Sequence, residues 1–352
     1  MALAFQTGRH WRQPTLNPEP KPGRRSPRER PEIKQAVLTP PISAHWNAAH
    51  RLSVLWAATT AAIPDHGPRA YIGRAHFLAS AIRHKQQIRA VVAGSLRSPP
   101  LARALAVRPH QFVGISHWPY MSSLWSVSQR FSCQRNHYDE IARWPALQSV
   151  GVDRPAVIAT LGEVGEDARI VVDCPAWFMR EGEITANLFL GELRAYSLSF
   201  SFDRADGQRV LRVGCIQGSN REDALDIYRA LTKKLHGLRP RDLIVQVAQA
   251  IASAAGIDEL HTITQHARIH AHPYFVGRGN RPSLATNYDQ IWMEHGAVAG
   301  ADGFFRLSSR ARRRPLDEID SGKRAMYRRR YALLDRLDQD IRSWMSGNAA
   351  NA

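Results

Sequence analysis

Short apolar runs fill the middle of the chain, and glycine and charged residues separate them. In one run, the aromatic and aliphatic side chains at positions 196, 198, 200 and 202 alternate with serines, a period of two that predicts a strand with one apolar face. Asp206-Gly207 between two of the runs indicates a hairpin turn. We therefore predict an antiparallel meander of strands at 156–161, 169–173, 184–190, 193–202 and 210–216.

Helical spacing returns after the meander. Ser219 with Glu222 matches a capping box and predicts a helix that begins there. Gly237 suits its left-handed C-terminal stop, and Pro240 suits the first turn of the next helix. A strand over 260–264 follows, so the pattern predicts an α+β sheet with one helical crossover.

The flanking regions are also predicted to be helical. In 46–150, the stretch 70–93 carries apolar residues at helical spacing, among them Ile72, Phe77 and Ile82. An aromatic-rich stretch follows, which favours packing against the sheet; a base-stacking or cofactor platform is the alternative. A final amphipathic helix is predicted from Tyr327.

Composition and charge divide the chain into four parts. Residues 1–45, rich in proline and arginine, are predicted to be a disordered arm; 46–150 a helical part packing on the sheet; 151–345 the α+β core; and 346–352 a tail. The formal net charge is +17, and 1–45 and 310–330 carry most of it. A hydrophobic content of 44% suffices for a core. The basic excess favours anionic partners or is simply a solvated surface.

The compartment is inferred from cysteines and hydropathy. Cys133, Cys174 and Cys215 are odd in number and widely spaced, which argues against a disulfide or metal framework. No secretory signal pattern is visible, and no window approaches the length of an apolar membrane span. We therefore expect a cytoplasmic protein, with peripheral contact to an anionic membrane left open.

Several strings resemble the VirK/YbjX family of Gram-negative bacteria, a domain of unknown molecular function. The most specific are His-Gly-Leu-Arg-Pro at 236–240 and Arg-Ala-Met-Tyr-Arg-Arg-Arg-Tyr at 324–331. Ile-Gln-Gly at 216–218, Asn-Tyr-Asp at 287–289 and Asp-Gly-Phe-Phe-Arg-Leu at 302–307 also match. The resemblance implies a role in virulence-gene expression and in tolerance of cationic antimicrobial peptides, and no reaction is established for the family.

The segment 209–264 resembles N-acetyltransferase-like folds in its part from Arg239 to Thr264. In those folds a basic glycine-rich loop opens a helix and holds the pyrophosphate of coenzyme A, so the resemblance implies a sheet of that type. Here Pro240, Arg241 and Asp242 stand where glycines are expected, and proline removes an amide donor. We expect no bound cofactor, with a coenzyme A ester as the alternative.

The most concentrated candidate site lies where the meander meets the helix that follows it. A strand end and two helix starts converge there, and helix N-termini present unpaired N–H groups that suit anions. We predict a pocket for an anionic small molecule, formed by Gln217, Lys233, His236, Arg239 and Arg241. His266 and His270 are expected at its far wall, as candidates for catalysis.

Acid–base chemistry requires a carboxylate or histidine with a shifted pKa. The candidates are Glu181, Glu183, Glu192, His266 and His270, and the sequence provides no geometry to choose among them. No zinc-protease motif is present, so we predict no metal. Nucleic acid is not favoured as a partner, because no recognised module contains the arginine runs.

Two functional hypotheses remain. One is an enzyme that transfers an acyl or aminoacyl group to an amine, acting in envelope stress or antimicrobial-peptide tolerance. The other is a non-catalytic basic interaction or regulatory protein that contacts anionic lipid or nucleic acid. The sequence leaves the oligomeric state open.

Overall fold

A computed structural model describes residues 48–152, 154–275 and 286–347. The predicted arm at 1–45 and the Gly-rich positions 277–280 lie outside the described residues. The N-terminal region is helical, as predicted. Its helices are α1 Ala48–Ala62, α2 Pro68–Arg83, α3 Lys85–Ser95, α4 Pro99–Val107, α5 Pro109–Gly114, α6 Val127–Ile141 and α7 Pro145–Ser149.

The helix predicted over 70–93 is two helices. His84 ends α2 and precedes α3 with a non-helical ψ of 27°. Phe77 is buried, but Ile72 and Ile82 are exposed. Both isoleucines lie in α2, each five residues from Phe77, which is about 140° around a helix, so they do not share its buried face. The aromatic stretch does pack inward as predicted, since Trp118 and Tyr120 are buried.

The centre of the fold is an eight-stranded sheet with the order β1-β2-β3-β4-β5-β6-β8-β7. The first five strands form the predicted antiparallel meander, and β5 pairs with β6 in parallel. The strands are β1 Ala156–Thr160, β2 Ala168–Asp173, β3 Ile184–Leu190, β4 Leu193–Ala205, β5 Gln208–Gly218, β6 Glu259–Ile263, β7 Val298–Ala299 and β8 Phe304–Ser308. The chain is therefore of the α+β class.

The predicted hairpin joins β4 to β5. Asp206 and Gly207 both have positive φ, 50° and 79°, which is the geometry of a tight turn that matches the strand twist. The apolar side chains of β4 face α8 (Ala224–Lys234) and α9 (Pro240–Ala254); Tyr196, for example, packs against the Tyr228 ring of α8 at a tilted angle, with ring centres 5.6 Å apart. The serines of β4 consequently point to the opposite face of the sheet.

The crossover from β5 to β6 begins later than predicted. Ser219 is still tied to the sheet, because its N–H donates to the carbonyl of Ala195, so α8 begins at Ala224 without a side-chain cap. The predicted capping box is therefore wrong. Pro240 opens α9 as predicted, and Gly237 has the left-handed φ of 79° expected at the preceding stop.

Two further helices complete the described structure. The short α10, Tyr288–Glu294, lies between β6 and β8 in the chain. The last helix, α11 Ser321–Met345, starts one and a half turns before the predicted Tyr327 and buries Leu334, Leu337 and Ile341. Among the described residues, no helix combines the length and the apolar character that crossing a bilayer requires.

Candidate functional site

The face of the sheet opposite α9 is polar and buried. It carries Thr185, Asn187, Ser197, Ser199 and Ser201, each at most 3% exposed. Thr185 donates to Ser199 at 3.3 Å, and Ser197 donates to the Asn187 carbonyl oxygen at 2.8 Å. Because buried polar groups are costly unless they are paired, this face is held together by its own hydrogen bonds. We call it the polar face.

Two glycines allow the segment before β3 to cross the polar face closely. Gly214 is an extra residue in β5, since Ser199 pairs with Cys215 and Phe200 with Val213. A Cβ at Gly214 would lie 2.1 Å from the carbonyl oxygen of Glu181, and one at Gly182 would lie 2.6 Å from the Phe200 nitrogen. Only glycine at both positions permits this approach, which places the Glu181 side chain beside β5.

Beyond this bulge, β5 and β6 separate. Their pairing covers only Leu211 to Val213 on the β5 side. The side chains of α10 fill the space between them: the Ile216 N–H donates to the Tyr288 hydroxyl at 3.1 Å, and the Trp292 ring nitrogen donates to the Ile263 carbonyl at 2.8 Å. The backbone groups released by the separation are thereby satisfied by two buried aromatic residues.

Glu181 is the most perturbed acid of this region. It is 6% exposed, and burial raises its pKa to about 7, while the positive charge of Arg268 opposes the rise. Burial, together with the nearby Glu181 carboxylate, raises the pKa of the Cys215 thiol well above its usual value. The thiol lies 3.5 Å from the Tyr288 hydroxyl. Glu181 can therefore exchange a proton near neutral pH, whereas Cys215 stays a thiol.

The other two candidate carboxylates have different surroundings. Glu183 accepts hydrogen bonds from Gln111 at 2.7 Å, Gln134 at 3.2 Å and Tyr138 at 3.1 Å, and so links α5 and α6 to β3. Glu192 has a side chain that is 93% exposed. Glu183 is therefore held in a hydrogen-bond network and Glu192 faces solvent, which leaves Glu181 as the candidate carboxyl with a pKa raised to about 7.

Positive side chains surround Glu181. Arg268 is 8% exposed, and its guanidinium carbon lies 3.9 Å from the centre of the Tyr288 ring. Arg180 lies over Trp118 at 4.7 Å. Burial, with the charges of Arg268 and Arg180, lowers the pKa of His270 to about 4, so this histidine is neutral at pH 7. Arg180 and His270 are half-buried, which opens the cluster to solvent on that side.

The structure brings two of the sequence-predicted site residues to this region. His270 lies with the arginines described above. Gln217 projects from the end of β5, and its amide oxygen is 3.9 Å from the Cys215 sulfur. His266, by contrast, is exposed in the turn before them.

The predicted arginines form a separate ion-pair cluster at the start of α9. Arg239 donates to Asp242 at 2.6 Å and to Glu294 at 2.7 Å, and Arg241 donates to the same two carboxylates. Burial alone would raise the pKa of Asp242, but hydrogen bonds from His295 and Arg239 outweigh it and lower the pKa to about 2. Both arginines are therefore engaged by carboxylates of the protein.

The two remaining predicted residues lie around α8. Lys233 is exposed on this helix. His236 has a left-handed φ of 54°, and its carbonyl accepts hydrogen bonds from Arg330 of α11, at 3.0 and 2.8 Å. His236 thus joins the crossover to the last helix through its backbone.

Sequence reasoning named Glu181 among several acids but did not single it out, and it named neither Arg180 nor Tyr288 as site residues. Arg268 was not named as a site residue either. The available signal was Glu181-Gly182-Glu183, two acids around a glycine directly before an apolar strand. That pattern indicates a close backbone approach. It does not indicate that the Gln111 and Gln134 side-chain amides bind Glu183 and leave Glu181 without such partners.

A second surface feature lies at the other end of β5. A hollow of about 390 Å³ is bounded by the β4–β5 hairpin and the end of α9. Its lining includes Arg143, Arg204, Arg209, Asp258 and Glu259. The two acids partly offset the three arginines, and Arg209 already pairs with Glu140.

Comparison with known proteins gives a consistent picture. The model of the family described as "Protein of unknown function (DUF535)" matches residues 68–343. The uncharacterized protein YbjX of Escherichia coli K12 is 25% identical over 66% of this chain and 71% of its own length. An uncharacterized Haemophilus influenzae protein is 30% identical over 42% of this chain and 47% of its own.

A third relative is named "Membrane protein LapB", from Mannheimia haemolytica. It is 25% identical over 60% of this chain and 91% of its own length. No solved structure matches the chain.

Proposed function

We propose that this chain is an enzyme that transfers an acyl or aminoacyl group to an amine. The chain belongs to the DUF535 family of proteins of unknown function. The observation that carries the proposal is Glu181, a buried carboxyl with a pKa of about 7 beside the bulge of β5. A general base works best when its pKa is near the working pH.

The proposed step uses Glu181 as the base. The amine nitrogen bonds to the acyl carbon of the donor, and the bond from that carbon to the leaving sulfur or oxygen breaks with its electron pair. The proton lost by the amine goes to Glu181, and solvent protonates the leaving group. Cys215 is not the nucleophile in this proposal, because burial keeps it protonated.

An acetyltransferase-like sheet is part of the proposal. A mostly antiparallel sheet followed by the crossover of α9 to the parallel strand β6 supports it. The donor need not be a coenzyme A ester, since the arginines at the start of α9 already bind Asp242 and Glu294, whose carboxylates would repel a pyrophosphate. We propose a cytoplasmic setting in envelope stress or antimicrobial-peptide tolerance, which the VirK/YbjX resemblance implies.

Donor binding and turnover test this function. Isothermal titration with coenzyme A esters and with aminoacyl-tRNA identifies the donor class, and release of the leaving group with an amine panel measures transfer. We expect Glu181→Gln to slow transfer by about 10²- to 10⁴-fold, the usual contribution of a general base. Glu192→Gln is the matched control and should keep the full rate. Binding of neither donor class would remove the enzyme hypothesis.

The non-catalytic alternative is favoured by a different observation. Arg328 and Arg329 are exposed on α11 and have no hydrogen-bond or ion-pair partner within the described residues. The relative named "Membrane protein LapB" supports a membrane setting, and the proposed partner in this alternative is an anionic lipid surface. Flotation with anionic vesicles at low and high salt tests this alternative. Arg328→Glu with Arg329→Glu should abolish binding, and salt should weaken it in the parent protein.

A further inference from the structure

Arg268 is a buried cation that forms no salt bridge with any carboxylate in the described part of the chain. It is 8% exposed, and its Nε has no hydrogen-bond partner in residues 48–152, 154–275 and 286–347. Its contact is with the face of the Tyr288 ring. A buried charge without a hydrogen-bonded partner is expensive, so an arginine kept in this state indicates an anion that is not part of the described chain.

The loop that carries Arg268 is held rigidly. The Gln265 N–H donates to Asp289 at 2.7 Å, the Tyr288 N–H donates back to Gln265 at 3.1 Å, and the Ser123 N–H donates to the Ala267 carbonyl at 2.8 Å. These hydrogen bonds tie the loop to α10 on one side and to the segment before α6 on the other. The backbone on either side of Arg268 is therefore held in place, which lowers the entropic cost of binding.

Two more side chains that can donate hydrogen bonds, those of His270 and Arg180, belong to the same cluster as Arg268. His270 is neutral, and its Nδ1 has no hydrogen-bond partner in the described residues. Arg180 lies above Trp118, Tyr274 and Phe275 at 4.7 to 5.6 Å. The positive charges of Arg268 and Arg180 both lower the pKa of His270. The same two positive charges also act on the Glu181 carboxyl.

We propose that Arg268, with Arg180 and His270, binds a small oxyanionic group of the substrate, a carboxylate or a phosphate, beside Glu181. The planar guanidinium fork matches both groups in geometry. The anion site itself does not depend on the proposed function; only the identification of its ligand as the amine acceptor rests on that function. The amine acceptor then carries an oxyanionic group that Arg268 holds while Glu181 takes the amine proton.

Anion binding to the whole chain tests the site directly. The probes are inorganic phosphate and acetate, titrated calorimetrically at constant ionic strength. We expect saturable binding of at least one probe. We expect Arg268→Met to weaken that binding by about tenfold or more, because the charge-assisted pair is lost. Arg97→Met removes an exposed arginine that follows α3 and has no part in either proposed site; it is the matched control and should bind as the parent does.

A second readout separates this role from a merely structural one. Without anion, Arg268→Met should unfold at the same temperature as the parent or a higher one, since methionine relieves the uncompensated charge. Arg268→Lys, which keeps the charge but loses the fork, should fold and bind more weakly. A parent protein that binds neither probe overturns the proposal, and so does an Arg268→Met variant that binds undiminished.

The anion site and the proposed reaction fail in different ways. Glu181→Gln should keep or improve anion binding, because it removes a neighbouring negative charge. Anion binding in both proteins without transfer from any donor would refute the enzyme and leave the site standing. Binding of phosphate alone would assign a phosphorylated acceptor, and binding of acetate alone a carboxylate-bearing one.

Discussion

Glu181 should make the stability of this protein fall as the pH rises toward neutrality, and Glu181→Gln should remove that fall. Burial raises the pKa of the folded state from the ordinary 4.5 to about 7. Between these pH values the native state binds more protons than the unfolded state, so the free energy of unfolding decreases with rising pH. A shift of this size corresponds to roughly 3 kcal/mol, at about 1.4 kcal/mol per pH unit.

The measurement is urea unfolding of the parent and of Glu181→Gln at about pH 5 and about pH 8. The stability of the variant relative to the parent should increase by roughly 3 kcal/mol between these conditions. Buried histidines with lowered pKa, such as His137, change stability in the opposite direction, but they are common to both proteins and cancel in the difference.

Glu192→Gln removes an exposed carboxyl and should leave the pH dependence of the parent unchanged. A relative stability of Glu181→Gln that is the same at both pH values would refute the argument. It would mean that the Glu181 carboxyl remains hydrated in the folded protein, and the proposed base would lose its physical support.

Two further predictions concern the bulge and the ion-pair cluster. Gly214→Ala should destabilise the protein by about 2–4 kcal/mol in urea unfolding, because its Cβ would lie 2.1 Å from the Glu181 carbonyl oxygen and force the two backbones apart. A loss below about 1 kcal/mol would contradict the close crossing, because a loss that small is typical of substitutions at an unconstrained surface position. The double variant Arg239→Ala, Arg241→Ala should flatten the loss of stability on acidification from about pH 4 to about pH 2, since Asp242 holds its low pKa partly through Arg239. Anion binding should persist in this variant, and its loss would locate the anion at α9 instead.

Local sequence patterns were sufficient for much of the fold. The period-two alternation of β4 predicted both the strand and its apolar side, because side chains of a strand alternate between faces wherever the strand lies. Asp206-Gly207 and Pro240 set their turn and helix start through backbone preferences of the residues themselves. The capping box at Ser219 failed because a distant carbonyl, that of Ala195, holds the chain in the sheet at that point.

The candidate site depends on contacts that no local pattern contains. Arg239 and Arg241 looked available in the sequence, and only the approach of α10 brings Glu294 against them. Glu181 and Arg268 are far apart in the chain, and the Glu-Gly-Glu string around Glu181 does not indicate which acid is perturbed. A pKa depends on burial and on charges a few ångströms away. The sequence by itself therefore determined the strands, turns and helix stops, whereas tertiary packing alone decided which acid is perturbed and which arginine is buried without a salt bridge.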